Sequence, residues 1–162
     1  MMGITIIVRF ASLLPMRMGK YLLKWGGVKL GANSSISRGF YVDRPTGLII
    51  GNDCFLNYGV HCHCGGNKEV GISIGSNVYI GPDVRICCSS HEISSKNCRA
   101  GKNIYGPVYI QDGCWIGLCS VILPNVTIAK GCVIAAGSVV TKSTEPNGLY
   151  AGVPARRIKE LP

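Results

Sequence analysis

The amino-acid sequence predicts an all-β fold, a solenoid of short parallel strands, and three observations support this prediction. Aliphatic side chains recur every six residues, most regularly in the series from Ile110 to Val140. Six is a multiple of the strand period of two and does not fit the helical period of about 3.6. Glycine accounts for 22 of the 162 residues, and aromatic residues make up only 7%. This composition favours many short strands with tight corners over a helical bundle.

Most of these aliphatic residues are followed four positions later by a small or β-branched residue, so two series define the repeat. The aliphatic series comprises Leu30, Ile36, Ile50, Leu56, Ile74, Ile80, Ile86, Ile110, Ile116, Ile122, Ile128, Ile134 and Val140. The small series comprises Ser34, Cys54, Val78, Val84, Cys114, Ser120, Val126, Cys132 and Ser138. Three strand-and-corner units make a coil of about 18 residues, and stacked coils pair as parallel strands about 4.8 Å apart. The aliphatic series then fills the interior and the small series fits the corners, where cysteine serves as a core filler.

Two interruptions of the repeat predict loops. Ile50 and Ile74 are 24 residues apart, about six more than one coil, which places a bulge near residues 63–71. Between Ile86 and Ile110 the aliphatic series is lost, and the chain carries the polar stretch SSHEISSKNCRAGKN. We expect residues 89–107 to be extruded from the solenoid, since departures from a repeat commonly map to a working face.

The N-terminal segment, residues 1–29, is apolar and basic, with five Lys and Arg and no acid. It predicts an amphipathic helix that packs on the protein or a neighbouring subunit, or alternatively rests on anionic lipid. The net charge of +9 also suits an anionic partner.

The nine cysteines are odd in number and contain no CxxC pair, and no cleavable leader is evident. We therefore expect reduced thiols and a cytoplasmic protein, with peripheral membrane contact as the open alternative.

The hexads, the phrase GCWIGLCSVILPNVTIAKGCVIAAGSVVTK and the closing AGVPARRIK resemble the hexapeptide-repeat acyltransferases. Within them, the sequence is most similar to the galactoside/maltose acetyltransferase and polysaccharide O-acetyltransferase branch, over roughly residues 28–160. The resemblance implies a left-handed parallel β-helix over residues 30–141 and a tail at 142–162 that binds coenzyme A. We expect short helical segments at both termini. The resemblance further implies a homotrimer with active sites between subunits, and transfer of an acetyl group from acetyl-CoA.

The resemblance also implies the catalytic groups. His91, at the root of the extruded loop, corresponds to the family's general base, and histidine has a pKa suited to that role near neutrality. The backbone N–H of Leu118 corresponds to the donor that meets the developing oxyanion. Trp115 would lie beside the site, against the acceptor or the pantetheine arm. No residue is assigned to orient the His91 imidazole.

Acceptor and cofactor contacts complete the predicted site. The acceptor set comprises Asn57, Trp115, Asp43 and Glu69. The coenzyme set comprises Trp115, Gly117, Ala135, Ala136, Thr141, Lys142, Arg156 and Lys159. Cations suit the phosphates of coenzyme A, and small residues allow the pantetheine arm to lie close to the backbone. The loop residues expected to shape the pocket wall are Ser94, Ser95, Lys96, Arg99 and Lys102.

The resulting hypothesis is an acetyl-CoA-dependent O-acetyltransferase that acts on a sugar hydroxyl in surface polysaccharide biosynthesis. Alternatives are an amino-sugar N-acetyltransferase or a serine acetyltransferase. A zinc enzyme of the carbonic anhydrase type would have to use His61, His63 and His91, and the absence of any later histidine disfavours it. We therefore expect no metal. A non-catalytic scaffold is a further alternative, and the lack of an aromatic and basic ladder argues against nucleic acid.

Overall fold

The structure of the protein, a computed structural model, describes residues 16–162. Residues 1–15 of the predicted N-terminal segment lie outside the described residues. Helix α1 spans Met16–Trp25, a 3-10 turn spans Pro45–Gly47, and short strands make up the rest of the regular structure. Within the described part of the chain, no helix is both long and apolar enough to cross a bilayer.

Three sheets form the faces of a three-sided solenoid, and their strands are parallel apart from the last pair of the second face. The first face contains β1 (Lys29–Leu30), β4 (Leu48–Ile50), β7 (Ile72–Ile74), β12 (Val108–Ile110) and β15 (Thr127–Ile128). The second face contains β2 (Ser35–Ile36), β5 (Phe55–Leu56), β8 (Tyr79–Ile80), β13 (Trp115–Ile116), β16 (Val133–Ile134), β18 (Gly148–Gly152) and β19 (Ala155–Glu160). The third face contains β3 (Tyr41–Val42), β6 (His61–His63), β9 (Arg85–Cys87), β14 (Val121–Ile122) and β17 (Val139–Val140). Strands β10 (Ser89–Ile93) and β11 (Ala100–Tyr105) form a separate antiparallel hairpin.

The strand register confirms the predicted coils. Ile110 pairs with Ile128, 18 residues later, and Ile50 pairs with Ile74 across the predicted bulge. The first coil differs from the prediction, because Leu30 pairs with Ile50, 20 residues later. The two additional residues accompany the 3-10 turn between β3 and β4.

The interior has the predicted composition. The aliphatic series is buried except for the half-buried Leu30, and the small series is buried throughout. All nine cysteines are free thiols. The small side chains also satisfy corner carbonyls: the Cys54 thiol donates to the Gly75 oxygen at 3.0 Å, and the Ser120 hydroxyl donates to the Ala135 oxygen at 3.0 Å. These side chains therefore fill space and also supply hydrogen bonds to backbone carbonyls at the corners.

Helix α1 covers one end of the solenoid. Leu23 and Val28 are buried in the same core cluster as the coils, and the helix contacts β2. On its outer side, Tyr21 is 67% and Trp25 is 75% exposed. The part of the N-terminal segment that the structure describes therefore packs on the protein and leaves two aromatic rings outside.

The C-terminal segment corrects one prediction, because it forms strands where we expected a short helix. Strand β18 extends the second face by pairing with β16, and β19 turns back to pair antiparallel with β18. Tyr150 of β18 is only 9% exposed, and its hydroxyl accepts a hydrogen bond from the Glu145 N–H at 2.7 Å. A helix would leave the edge of the last coil unpaired, and the strand pairing covers that edge.

Candidate active site

The hairpin β10–β11 confirms the predicted extrusion and carries His91. Ser89 pairs with Tyr105 at its base, and His91 pairs with Asn103 two steps outward. His91 is exposed, and its Nδ1 lies 3.1 Å from the carbonyl oxygen of Gly101. Since a carbonyl oxygen can only accept, Nδ1 carries the proton of the neutral ring and Nε2 holds a free lone pair.

A groove of about 510 Å³ runs along the corner between the second and third faces. It brings together six residues of the predicted site: Asn57, Trp115, Gly117, Leu118, Ala135 and Ala136. Its remaining lining, which the sequence reasoning missed, is Gly81, Pro82, Val133, Ile134 and Leu149. Of this second set, only Ile134 belongs to the aliphatic series of the repeat, and nothing in the repeat distinguishes the corner that forms a groove.

The backbone forms part of the groove, because the coils approach closely there. A Cβ atom on Gly117 would lie 2.5 Å from the Ala136 nitrogen and 2.7 Å from the Ile134 oxygen. A Cβ atom on Gly81 would lie 2.8 Å from the Leu118 nitrogen. Glycine at these positions keeps backbone N–H groups near the groove surface, and any larger residue would displace these groups.

The N–H of Leu118 has no hydrogen-bond acceptor among residues 16–162. Among the equivalent positions on other coils, Pro82 has no N–H and the Tyr58 N–H donates to Asn57 Oδ1 at 2.8 Å. The Ala136 N–H, on the next coil, is like that of Leu118 without an acceptor among residues 16–162. The Leu118 side chain is 48% exposed. At this corner, Leu118 therefore offers an uncommitted donor, as an oxyanion site requires.

Asp43 and Glu69, both predicted near the acceptor, lie away from this groove. The Asp43 carboxylate accepts hydrogen bonds from the N–H groups of Cys64 at 2.7 Å and Gly65 at 3.2 Å. Glu69 is exposed and lines a separate hollow of about 250 Å³ on the first face. Asp43 thus has a structural role in this chain that the sequence did not reveal.

The predicted cations are exposed and lie outside the groove lining. Thr141 and Lys142 follow β17, whereas Arg156 and Lys159 belong to β19. Gly152 at the end of β18 donates to the Ser138 hydroxyl at 3.2 Å, so the β18–β19 turn lies at the end of the corner that forms the groove. The structure therefore leaves Arg156 near one end of the groove and Lys142 on the following corner.

His61 and His63 project from the third face, with ring centroids 5.9 Å apart. Burial lowers the pKa of His61, and the neighbouring Arg85 charge lowers it further. Among residues 16–162, no group of three His, Cys, Asp or Glu side chains is arranged to hold a metal ion. The three histidines of the zinc alternative are therefore not assembled as a metal site within this chain.

Comparisons with known proteins agree with this architecture. Residues 107–142 match the family described as bacterial transferase hexapeptide (six repeats). The chain is 32% identical over 140 residues to the galactoside O-acetyltransferase of Escherichia coli, which covers 86% of this chain and 67% of that protein. It is 29% identical to an Escherichia coli protein named as an acetyltransferase of colanic acid biosynthesis, over 86% of this chain and 73% of that one. The chain spans from 44% to 73% of the length of eight curated relatives that it matches.

Among solved structures, the fold matches a hexapeptide-repeat-containing acetyltransferase of Vibrio cholerae complexed with acetyl-CoA. The TM-score is 0.85 at 28% identity, over 99% of this chain and 88% of that one. The solenoid is thus the left-handed parallel β-helix that the resemblance implied. With its hexad coils, its extruded hairpin and these similarities, the chain belongs to the family of hexapeptide-repeat acetyltransferases.

Proposed function

We propose that the protein transfers an acetyl group from acetyl-CoA to a hydroxyl group of a sugar, with His91 as the general base. The observation that carries this proposal is the hydrogen bond between His91 Nδ1 and the Gly101 oxygen. It fixes the tautomer in which Nε2 is free to take a proton, and it limits rotation of the ring. Histidine bases are commonly oriented in this way by a partner on the other ring nitrogen.

The residues of the site divide the reaction between them. His91 Nε2 removes the proton of the acceptor hydroxyl as its oxygen attacks the thioester carbonyl carbon. The Leu118 N–H donates to the carbonyl oxygen while negative charge develops there. As the carbon–sulfur bond breaks, His91 returns the proton to the departing thiolate of coenzyme A. Trp115 and Asn57 line the same groove and would hold the acceptor.

The groove suits acetyl-CoA in shape and in the charges around it. Gly117, Ala135 and Ala136 present little beyond the backbone, so a pantetheine arm can lie against the coils. Arg156 and Lys142 are exposed cations near the last coil and suit the phosphates. Acetyl-CoA supplies the activated acetyl group, and the Vibrio cholerae relative contains it.

We propose a homotrimer, because one chain does not place His91 in its own groove. The hairpin follows β9 at the far edge of the third face, whereas the groove lies at the corner where the chain enters that face. His91 is not part of the groove lining. In a trimer, the hairpin of one subunit would meet the groove of the next. Sedimentation equilibrium should give a mass of three chains.

Turnover is tested by release of the coenzyme A thiol from acetyl-CoA with a panel of sugars, amino sugars and serine. We expect release with a sugar whose free group is a hydroxyl, and mass spectrometry should show an O-acetyl ester. His91→Ala should lower kcat by a factor of about 10² to 10⁴ with little change in KM for acetyl-CoA. Turnover that survives this substitution would sink the mechanism. Exclusive use of an amine acceptor would instead move the proposal to N-acetylation.

A glycan of the cell surface is the proposed acceptor class, supported by the similarity to the colanic acid protein.

We further propose that the outer side of α1 contacts anionic lipid, where lipid-linked glycans reside. Trp25 and Tyr21 are exposed beside Lys20 and Lys24, a combination suited to the membrane interface. Co-sedimentation with phosphatidylglycerol vesicles should fall on Trp25→Ala and at high salt. Equal recovery with neutral vesicles would contradict this contact.

A further inference from the structure

We propose that Arg44 is a positioning residue for His91, acting through the loop of residues 64–70 and the base of the hairpin. This inference deepens the proposed function and rests on it for its catalytic consequence. Arg44 stands between β3 and the 3-10 turn, in the coil that is longer than predicted.

The Arg44 guanidinium binds four carbonyl oxygens of a single loop. Nε donates to the Gly65 oxygen at 3.0 Å, and the two N–H groups of Nη2 are shared among the oxygens of Cys64 and Asn67, at 3.0 Å each, and of Val70. The planar fork of arginine can serve several acceptors at once, whereas a lysine ammonium is a single point with three donors. One side chain therefore gathers carbonyls from residues 64–70 around its fork.

Asp43 complements this arrangement from the preceding position. Its two carboxylate oxygens accept from the N–H groups of Cys64 and Gly65, the residues whose carbonyls Arg44 also binds. Consecutive side chains thus hold both kinds of backbone group in the same loop. A Cβ on Gly47 would lie 2.6 Å from Arg44 Nη1, so the 3-10 turn packs directly on the guanidinium and confines it.

The loop held by Arg44 is the surface on which the hairpin base rests. A Cβ on Gly65 would lie 3.4 Å from Ser89 Cβ and 3.4 Å from Tyr105 Cδ1, so both residues of the first hairpin pair lie directly beside this glycine. The buried Cys88 donates from its backbone N–H to His63 at 2.8 Å, immediately before the loop. Its thiol donates to the Gly71 oxygen at 3.3 Å, immediately after it.

From this base, two ladder steps lead to His91 and its Gly101 hydrogen bond. The hairpin makes its antiparallel pairing with itself and joins no face of the solenoid. Its direction therefore depends on the contacts at its base. A shift of the loop would tilt the hairpin and move Nε2 relative to the acceptor, while the coenzyme groove at the other corner would keep its shape.

The test uses Arg44→Lys, which keeps the charge and loses the fork, in the full-length protein. We expect kcat to fall about 10- to 100-fold, since displacements near 1 Å have costs of this size. KM for acetyl-CoA should stay within about twofold, because the loop contributes no residue to the groove lining. Hydrogen exchange should accelerate in peptides covering 89–105 and stay unchanged in peptides covering 110–140. Arg157→Lys is the matched control: Arg157 also donates to a carbonyl, that of Pro146, and should affect neither readout.

A second variant separates positioning from a general loss of stability. Tyr105→Ala removes the ring that packs on the loop and leaves Arg44 intact, and it should reproduce the fall in kcat. Because both substitutions act on the same route from Arg44 to His91, the kcat of the double variant should be little lower than that of the more impaired single variant. If the two reductions in kcat instead multiplied, or if hydrogen exchange in the hairpin were unchanged in Arg44→Lys, the inference would be overturned. If the wild type turned over no acceptor, the proposed function would fail, and hydrogen exchange would still decide whether Arg44 holds the hairpin.

Discussion

Replacing Gly117 by alanine tests the claim that the groove floor is built from backbone in close contact. The added Cβ would lie 2.5 Å from the Ala136 nitrogen and 2.7 Å from the Ile134 oxygen. Ordinary contacts of a carbon atom are about 3.5–4.0 Å. The last coil would therefore have to retreat by roughly 1 Å at this corner.

The cost of this retreat follows from two terms. Overpacking of a tightly packed site costs about 1–3 kcal/mol. The hydrogen bond from the Gly117 N–H to the Ile134 oxygen, now 2.7 Å, would also be stretched beyond a bonding distance, at about 1 kcal/mol. The sum of about 2–4 kcal/mol corresponds to a loss of about 5–15 °C in Tm for a domain of this size. The stabilisation of the protein by acetyl-CoA should also decrease, because the groove becomes narrower.

Thermal unfolding followed by circular dichroism measures the effect, and Gly66→Ala is the matched control. Around a Cβ on Gly66, the nearest atom is the Tyr105 hydroxyl at 3.6 Å, an ordinary contact. That variant should stay within about 0.5 kcal/mol of the wild type. A Gly117→Ala protein with the Tm of the wild type would refute the close approach of the coils and the backbone floor inferred from it.

Three further predictions address charge, thiols and the coenzyme. Burial and the Arg85 charge lower the pKa of His61 below 6.5 in the folded protein, so the unfolded chain binds more protons and the stability should fall as the pH drops below about 6.5. The plot of Tm against pH should therefore be flatter in His61→Gln than in the wild type, and an unchanged plot would contradict this reasoning. Cys98 and Cys119 are exposed and should react with maleimide in the native protein. Peptide mapping identifies the labelled thiols, and rapid labelling of the buried cysteines would argue against the described core. Arg156→Ala should raise KM for acetyl-CoA about five- to tenfold at nearly constant kcat, and steady-state kinetics with an unchanged KM would remove Arg156 from the coenzyme site.

Much of the fold could be predicted because the hexad period acts locally. A side chain at each sixth position faces inward irrespective of what the rest of the chain does, so the interior from Ile110 to Val140 followed from counting. The loss of the period also located the hairpin that carries His91. The C-terminal strands were missed because β18 owes its conformation to pairing with β16, a contact that the repeat does not specify.

Some residues of the candidate site were predicted and others were not, because the site also depends on contacts that the repeat does not specify. Asn57, Trp115 and Leu118 were assigned through the resemblance, and the fold brings them to one groove although they are far apart in sequence. Asp43 was assigned to the acceptor, yet its carboxylate is used by backbone N–H groups of the adjoining coil. No role was predicted for Arg44, and the one available signal was the longer first coil, which leaves room for the turn that packs on its guanidinium.

By itself, the sequence determined the solenoid, the residues that fill it and the point at which the chain leaves it. Only the tertiary structure decided which corner forms a groove, which amides stay without an acceptor there, and what orients His91. The physical reason is that these features depend on backbone groups of distant residues. The Gly101 oxygen that accepts from His91 and the carbonyls around Arg44 belong to peptide units present in every residue, so no side-chain pattern can indicate them; the Leu118 N–H was assigned only through the family resemblance.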